Sequence, residues 1–167
     1  PVLCGDNLIR RSAAAMNVGL SEARNEVIVR VDAHSLYATD YVSRSVDALR
    51  SSGAVMVGGR MVPMGTNRFG RAVSAVTTSP FGVGPGRFHY ATEAQEVETV
   101  YLGCFRKTDV VDVGGYDEER LQWAAEDQEL NFRLRQAGGR IWLDPSINSV
   151  YFPRQNPRSL WRQYHNY

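Results

Sequence analysis

Apolar side chains along this chain recur first at helical and then at strand spacing, over and over. Ile9, Ala13, Met16 and Leu20 stand at i, i+4, i+7 and i+11, one face of a helix that opens after Asp6-Asn7. The β-branched run 26–31 predicts a strand that ends at Asp32. Thr39 is placed to cap a second helix with the stripe Val42, Val46 and Leu49 and a stop at Gly53. A further strand is predicted over 54–62, where Gly58-Gly59 marks a bulge or a close approach. Next come a helix over 68–76, a mobile Gly- and Pro-rich loop over 79–90, and a strand over 97–105. Glycines stop a short helix over 109–115. The stretch 126–137 puts Leu130, Leu134 and Ala137 on one helical face ahead of Gly138-Gly139. Short strands over 141–143 and 147–152 precede Pro157, which stands where a last helix begins. Strands alternating with helices predict an α/β fold with a mostly parallel sheet. No repeat or linker divides the pattern.

Composition narrows this picture. The 167 residues, 43% of them hydrophobic, suffice for one domain with its own core. Nineteen basic residues against eighteen acidic ones give a net charge of +1, which argues against a nucleic-acid partner. No apolar run approaches the ~18 residues that cross a bilayer. Cys4 and Cys104 cannot form a disulfide framework, so a reducing cytoplasmic compartment is expected. Charge is balanced in sum but not in distribution. Eleven of the eighteen acids lie between Glu93 and Glu129, and eighteen of the nineteen basic residues are Arg. Arg suits phosphate and carboxylate because its planar fork bonds them bidentately. Codon usage in a GC-rich genome explains an Arg excess equally well.

Three segments carry candidate chemistry. In Asp32-Ala33-His34 a carboxylate and an imidazole two residues apart project to one side of an extended backbone, past the end of a strand. That pair suits a divalent metal; equally, the Asp caps a turn and the His bonds a carbonyl. In 123–129, Glu126, Asp127 and Glu129 open a helix just after Trp123. Helix-dipole stabilisation accounts for such acids, while a carboxylate beside an aromatic platform can take a proton from a hydroxyl. On the last predicted helix Arg158 and Arg162 share a face beside Trp161 and Tyr164. This suits a phosphate clamp, a membrane surface, or a solvated face with Trp packed on the core.

Taken together, these segments resemble an inverting glycosyltransferase of family 2 on the GT-A fold, in the subgroup of succinoglycan-type bacterial polysaccharide glucosyltransferases. The matching stretches are 13–19, 26–35, 40–42, 80–84, 113–117, 126–133, 142–145, 151–154 and 160–164, in family order along the whole chain. The resemblance implies a Rossmann-like α/β domain with a mostly parallel sheet flanked by helices, truncated at its N-terminus. It implies one partial domain: 1–62 as the end of the nucleotide-binding half, 63–152 as the catalytic and acceptor half, and 153–167 as a C-terminal helix. Asp32 and His34 take the place of the family's Asp-x-Asp and would hold Mn²⁺ or Mg²⁺ and the donor diphosphate, joined by Arg158 and Arg162. His34 departs from the family's second Asp. Asp127 falls on the Asp of the Glu-Asp motif and would be the general base, with Trp123 and Glu126 shaping the acceptor pocket. The implied partners are a nucleotide-diphosphate sugar and a saccharide or lipid-linked saccharide, without nucleic acid. The implied place is the cytoplasmic face of the cell membrane, with membrane-surface association, in exopolysaccharide or cell-surface glycan synthesis. The 167 residues alone are expected to be inactive. Two rivals remain at this level. A sugar-phosphate nucleotidyltransferase would carry a Gly-rich phosphate signature near its first strand, and none is seen. In a silent binding module Asp127 would be only a helix-start charge.

Overall fold

The computed structural model describes residues 12–119 and 125–165. Helix α1 (Ser12–Glu22) leads to β1 (Val27–Val29), a loop over 30–34, and β2 (Ser35–Tyr37). Helix α2 (Tyr41–Ser52) and β3 (Met56–Pro63) come next, then α3 (Arg68–Thr77), the single turn α4 (Pro80–Val83) and a 3₁₀ turn (Arg87–His89). The rest is β4 (Gln95–Val97), β5 (Tyr101–Arg106), α5 (Lys107–Asp112), α6 (Glu126–Gln136), β6 (Ile141–Tyr151) and α7 (Pro157–His165).

Among the described residues the strands form one six-stranded sheet in the order β1-β5-β3-β6-β2, with β4 also paired to β6. The α/β class with flanking helices stands, but the expected mostly parallel pairing does not. Only β3 and β6 pair in parallel; β1 with β5, β5 with β3, and β2 and β4 with β6 are antiparallel. The one parallel pair, β3 with β6, has the long helix-containing crossover that parallel neighbours need. The sheet runs across the expected division at 62/63, since β3 itself spans it.

Each face of the sheet is covered. On one side Ala13 and Leu20 of α1, Val110 of α5 and Leu130 and Leu134 of α6 pack with Met56, Phe105, Ile141 and Leu143. On the other, Tyr41, Ala48 and Leu49 of α2 pack with Val57, Cys104 and Ile147. Helix α2 is therefore rotated from the expected stripe, since Val42 is 55% exposed while Tyr41 and Ser45 are buried. The Ser45 hydroxyl donates to the Tyr41 carbonyl at 2.7 Å, which lets a polar residue face the core. Asp40 rather than Thr39 takes the N-cap position, without a side-chain capping bond, and the helix stops, as expected, at left-handed Gly53. Burial pushes the Cys104 thiol up to about 11, which leaves it an inert core residue. Cys4 lies outside the described residues.

Two sequence boundaries shift for tertiary reasons. The expected strand over 97–105 is two strands, because residues 95–97 pair with β6 and residues 101–106 with β1 and β3. The two expected strands over 141–152 are one, with a register shift where Gly58 opposes Leu143 and Arg60 opposes Asn148. Gly58-Gly59 permits that shift. A Cβ on Gly59 would lie 2.0 Å from the Ile147 carbonyl oxygen, and one on Gly58 2.4 Å from Val100 Cβ. Backbone cannot yield as a side-chain tip can, so Gly59→Ala is expected to cost about 1–3 kcal/mol or more. Urea unfolding should show a lowered midpoint with an unchanged slope.

Candidate active site

The site forms where the ends of β1 and the start of β5 meet the first turn of α6. Arg30 extends the β1 ladder by one residue, its N–H donating to the Gly103 carbonyl at 3.0 Å. In extended backbone Arg30 and Asp32 project to the same side, and both line a cleft of about 370 Å³ with Phe88, Tyr101, Glu126 and Asp127. Ala125, just before α6, adopts φ 69°, a conformation rare outside glycine. It turns the chain so that Glu126 and Asp127 both face the sheet.

Arg30 lies between the two acids. Its guanidinium is ion-paired with Asp127 and lies 3.4 Å from Glu126, and its side chain is only 13% exposed. Glu126 also accepts a hydrogen bond from the Ser12 hydroxyl at 2.7 Å. Burial pushes the Asp127 carboxyl up to about 6, Arg30 opposes the rise, and the Glu126 charge adds to it. Tyr116, 4% exposed, packs its hydroxyl against the same guanidinium. Asn17 holds this tyrosine in place: its amide nitrogen donates to the Tyr116 carbonyl at 2.9 Å and its oxygen accepts from the Tyr116 N–H at 2.8 Å. Gly115 precedes with φ 71°, and a Cβ there would approach Asn17 Oδ1 to 2.8 Å.

The Asp32-His34 loop is fastened by Tyr37, whose hydroxyl accepts from the Asp32 N–H at 2.5 Å and donates to the Asp32 carbonyl at 3.0 Å. Asp32 Oδ1 lies 3.0 Å from the His34 N–H and 2.9 Å from His34 Nδ1. Partial burial works against ionisation of Asp32, but these hydrogen bonds hold its carboxyl below the ordinary range. The Asp therefore does cap its turn, and it does so while its carboxylate still lines the cleft. The His34 side chain is 86% exposed and the Asp32 side chain 38%. Among the described residues no group of three or more His, Cys, Asp or Glu side chains could hold a metal. One carboxylate and one imidazole fit a divalent cation that takes its other ligands from phosphate oxygens and water.

The remaining expected residues fall elsewhere. Arg158 and Arg162 do not line this cleft; they are exposed on α7. Trp123 lies outside the described residues. Glu129 is structural: it pairs with Arg133, whose guanidinium donates to the Val113 and Gly115 carbonyls. The 79–90 stretch carries α4 and the 3₁₀ turn, and Phe88 brings it to the cleft. A wider groove of about 790 Å³ continues from the cleft, sharing Phe88, Thr99 and Gln128 with it. Arg30 and Tyr116 were missed from sequence. Arg30 did leave a signal, an Arg inside a β-branched run in phase with Asp32; Tyr116 left only its place in the matching stretch 113–117.

Comparison with known proteins agrees with this arrangement. A family model described as glycosyl transferase family 2 matches residues 9–107. The chain is 33% identical over 168 residues to the succinoglycan biosynthesis protein ExoA of Rhizobium meliloti (strain 1021), a match covering 99% of this chain and 50% of ExoA. It thus spans about half the length of that curated relative. The crystal structure of GalNAc-T7 with UDP, GalNAc and Mn²⁺ matches with a TM-score of 0.63 at 14% identity, over 89% of this chain and 31% of that one. At that identity the likeness shows the fold, which is GT-A. With more than half its length matched by the family model, the chain belongs to glycosyl transferase family 2.

Proposed function

We propose that the protein transfers a sugar from a nucleoside-diphosphate sugar to a saccharide hydroxyl with inversion at the anomeric carbon, in bacterial exopolysaccharide or surface-glycan synthesis. The observation that carries this reading is Asp127, a carboxylate with its pKa near 6 that shares one cleft with Asp32. A base titrating near the working pH is ionised often enough to act and basic enough to take a proton. Asp127 receives the proton of the acceptor hydroxyl while that oxygen bonds the anomeric carbon. The bond from that carbon to the diphosphate oxygen breaks on the opposite face. Asp32 and His34 would hold a divalent cation, which when bound neutralises charge on the departing diphosphate. Arg30 positions Asp127 and favours its ionised form. Glu126, braced by Ser12 and Arg30, holds the guanidinium from the other side. The acceptor's reacting sugar enters beside Phe88 and Gln128, and the wider groove receives the remainder of the acceptor. The neighbour solved with UDP and Mn²⁺ and the exopolysaccharide relative support the same reading.

Asp127→Asn in the whole protein is expected to lower kcat about 10²–10⁴-fold while nucleotide-sugar affinity is kept. Near-parental turnover would remove Asp127 as base. Asp127 must be ionised, so kcat/KM should fall about tenfold per unit below its midpoint near pH 6. Arg30→Gln removes the charge that lowers this pKa, so the acid limb should move to higher pH, with Arg30→Lys restoring part of the shift. An unmoved limb would reduce Arg30 to a packing residue. Asp32→Ala should abolish the Mn²⁺-dependent part of nucleotide-sugar binding, and calorimetry showing unchanged affinity would refute that role.

A further inference from the structure

Helix α6 buries an asparagine between two leucines. Leu130, Asn131 and Leu134 are its buried residues, and Asn131 is 0% exposed. The Asn131 amide nitrogen donates to the Thr99 hydroxyl oxygen at 2.8 Å. Its amide oxygen is buried too and has no hydrogen-bond partner among the described residues. A buried acceptor left unpaired costs stability, and an apolar side chain of similar shape would avoid that cost. Stability therefore does not account for Asn131, and the residue it holds becomes the point of interest.

Thr99 lies in the 98–100 connection between β4 and β5, outside both strands. It is gripped from two sides. Asn131 holds its hydroxyl, while the next residue, Val100, is buried so tightly on β3 that a Cβ on Gly58 would come within 2.4 Å of Val100 Cβ. With Phe88 and Gln128, Thr99 lines both the cleft that holds Asp127 and the wider groove beyond it. A threonine hydroxyl has one hydrogen to donate and two lone pairs to accept with. Here it accepts from Asn131 and donates to no other described residue, so its hydrogen is left for the occupant of the junction. A pyranose suits that place, with hydroxyl oxygens that accept and an apolar C–H face for the Phe88 ring. Asp127 and Asn131 stand four apart on α6, about one turn of helix. One rigid element thus sets both the carboxylate and the brace of the hydroxyl.

We propose that the Thr99 hydroxyl donates to an oxygen of the acceptor sugar other than the one that attacks, and that Asn131 is the positioning residue that aims it. Thr99 and Asp127 are then two fixed points that select which acceptor hydroxyl is presented for transfer. This rests on the reading of the cleft as a transferase site. The test is NMR titration of the whole protein with the methyl β-pyranosides of glucose, galactose and mannose, and with the monodeoxy derivatives of the one bound most tightly. Thr99→Val keeps the shape without the hydroxyl and should weaken that sugar roughly 2- to 10-fold, the worth of one hydrogen bond between uncharged groups. Thr99→Ser should restore the affinity. One monodeoxy sugar should lose the same factor on the parent protein and nothing further on Thr99→Val, because both changes delete the same bond. Asn131→Leu should weaken the intact sugar and shrink that deoxy penalty. A lowered urea midpoint with an undiminished deoxy penalty would make Asn131 a structural residue only. Binding is read without turnover, which separates the two readings. The expected sugar pattern together with normal transfer by Asp127→Asn would overturn the catalytic reading alone. Loss of transfer in Asp127→Asn, with Thr99→Val binding sugar as the parent does, would overturn this proposal alone. Deoxy penalties that persist in Thr99→Val, or no binding of any of the three sugars, would overturn it as well.

Discussion

Two neighbouring carboxylates turned into a partly buried cleft repel each other and require a cation against them. Arg30 is that cation, and its place at the end of β1 sets the geometry of the site. Its 13% exposure makes the pairing matter, because a guanidinium left there without partners would keep its desolvation cost and lose the compensating attraction. The same contact sets the chemistry. Burial and Glu126 raise the pKa of Asp127 and Arg30 opposes them, leaving a group near 6. Without burial an Asp would be fully ionised at neutral pH and a weaker base; without Arg30 it would be held protonated to higher pH.

Support for Arg30 reaches well beyond the cleft. Tyr116 packs against the guanidinium, and Asn17 on α1 clamps the tyrosine's backbone from both sides. Arg133 on α6 draws in the Val113 and Gly115 carbonyls, so the helix that carries Asp127 also positions the turn that carries Tyr116. Tyr37 independently pins the Asp32 backbone. The cleft is therefore held by elements on several sides of it, as a site that must align two substrates requires.

Much of this was legible in the amino-acid pattern. The helix over 126–137, a strand within 26–31, the left-handed stop at Gly53 and the close approach at Gly58-Gly59 each obey local rules of periodicity and backbone freedom. Locality also explains the misses. Val42 fits a helical stripe as well as Tyr41 does, and only the sheet beneath α2 selects between them. The 97–105 run carries no Gly or Pro at the point where it breaks, so its division into β4 and β5 comes from its different partners. Asp32 and Asp127 each had a purely structural explanation, and nothing in either segment alone could dismiss it.

The sequence by itself determined the α/β class, the positions of most elements and the acids that carry candidate chemistry, because these depend on residue spacing and side-chain type. The tertiary structure alone decided that β1, β3 and β6 share a direction while the other strands oppose them, since which strands become neighbours is set by packing across the whole sheet. It also decided that Asp32, Asp127 and Arg30 meet in one cleft and that Arg158 and Arg162 do not join them. Arg30 and Asp127 are 97 residues apart, and a charge's effect on a carboxyl depends on distance through space. Local pattern holds no information about that distance.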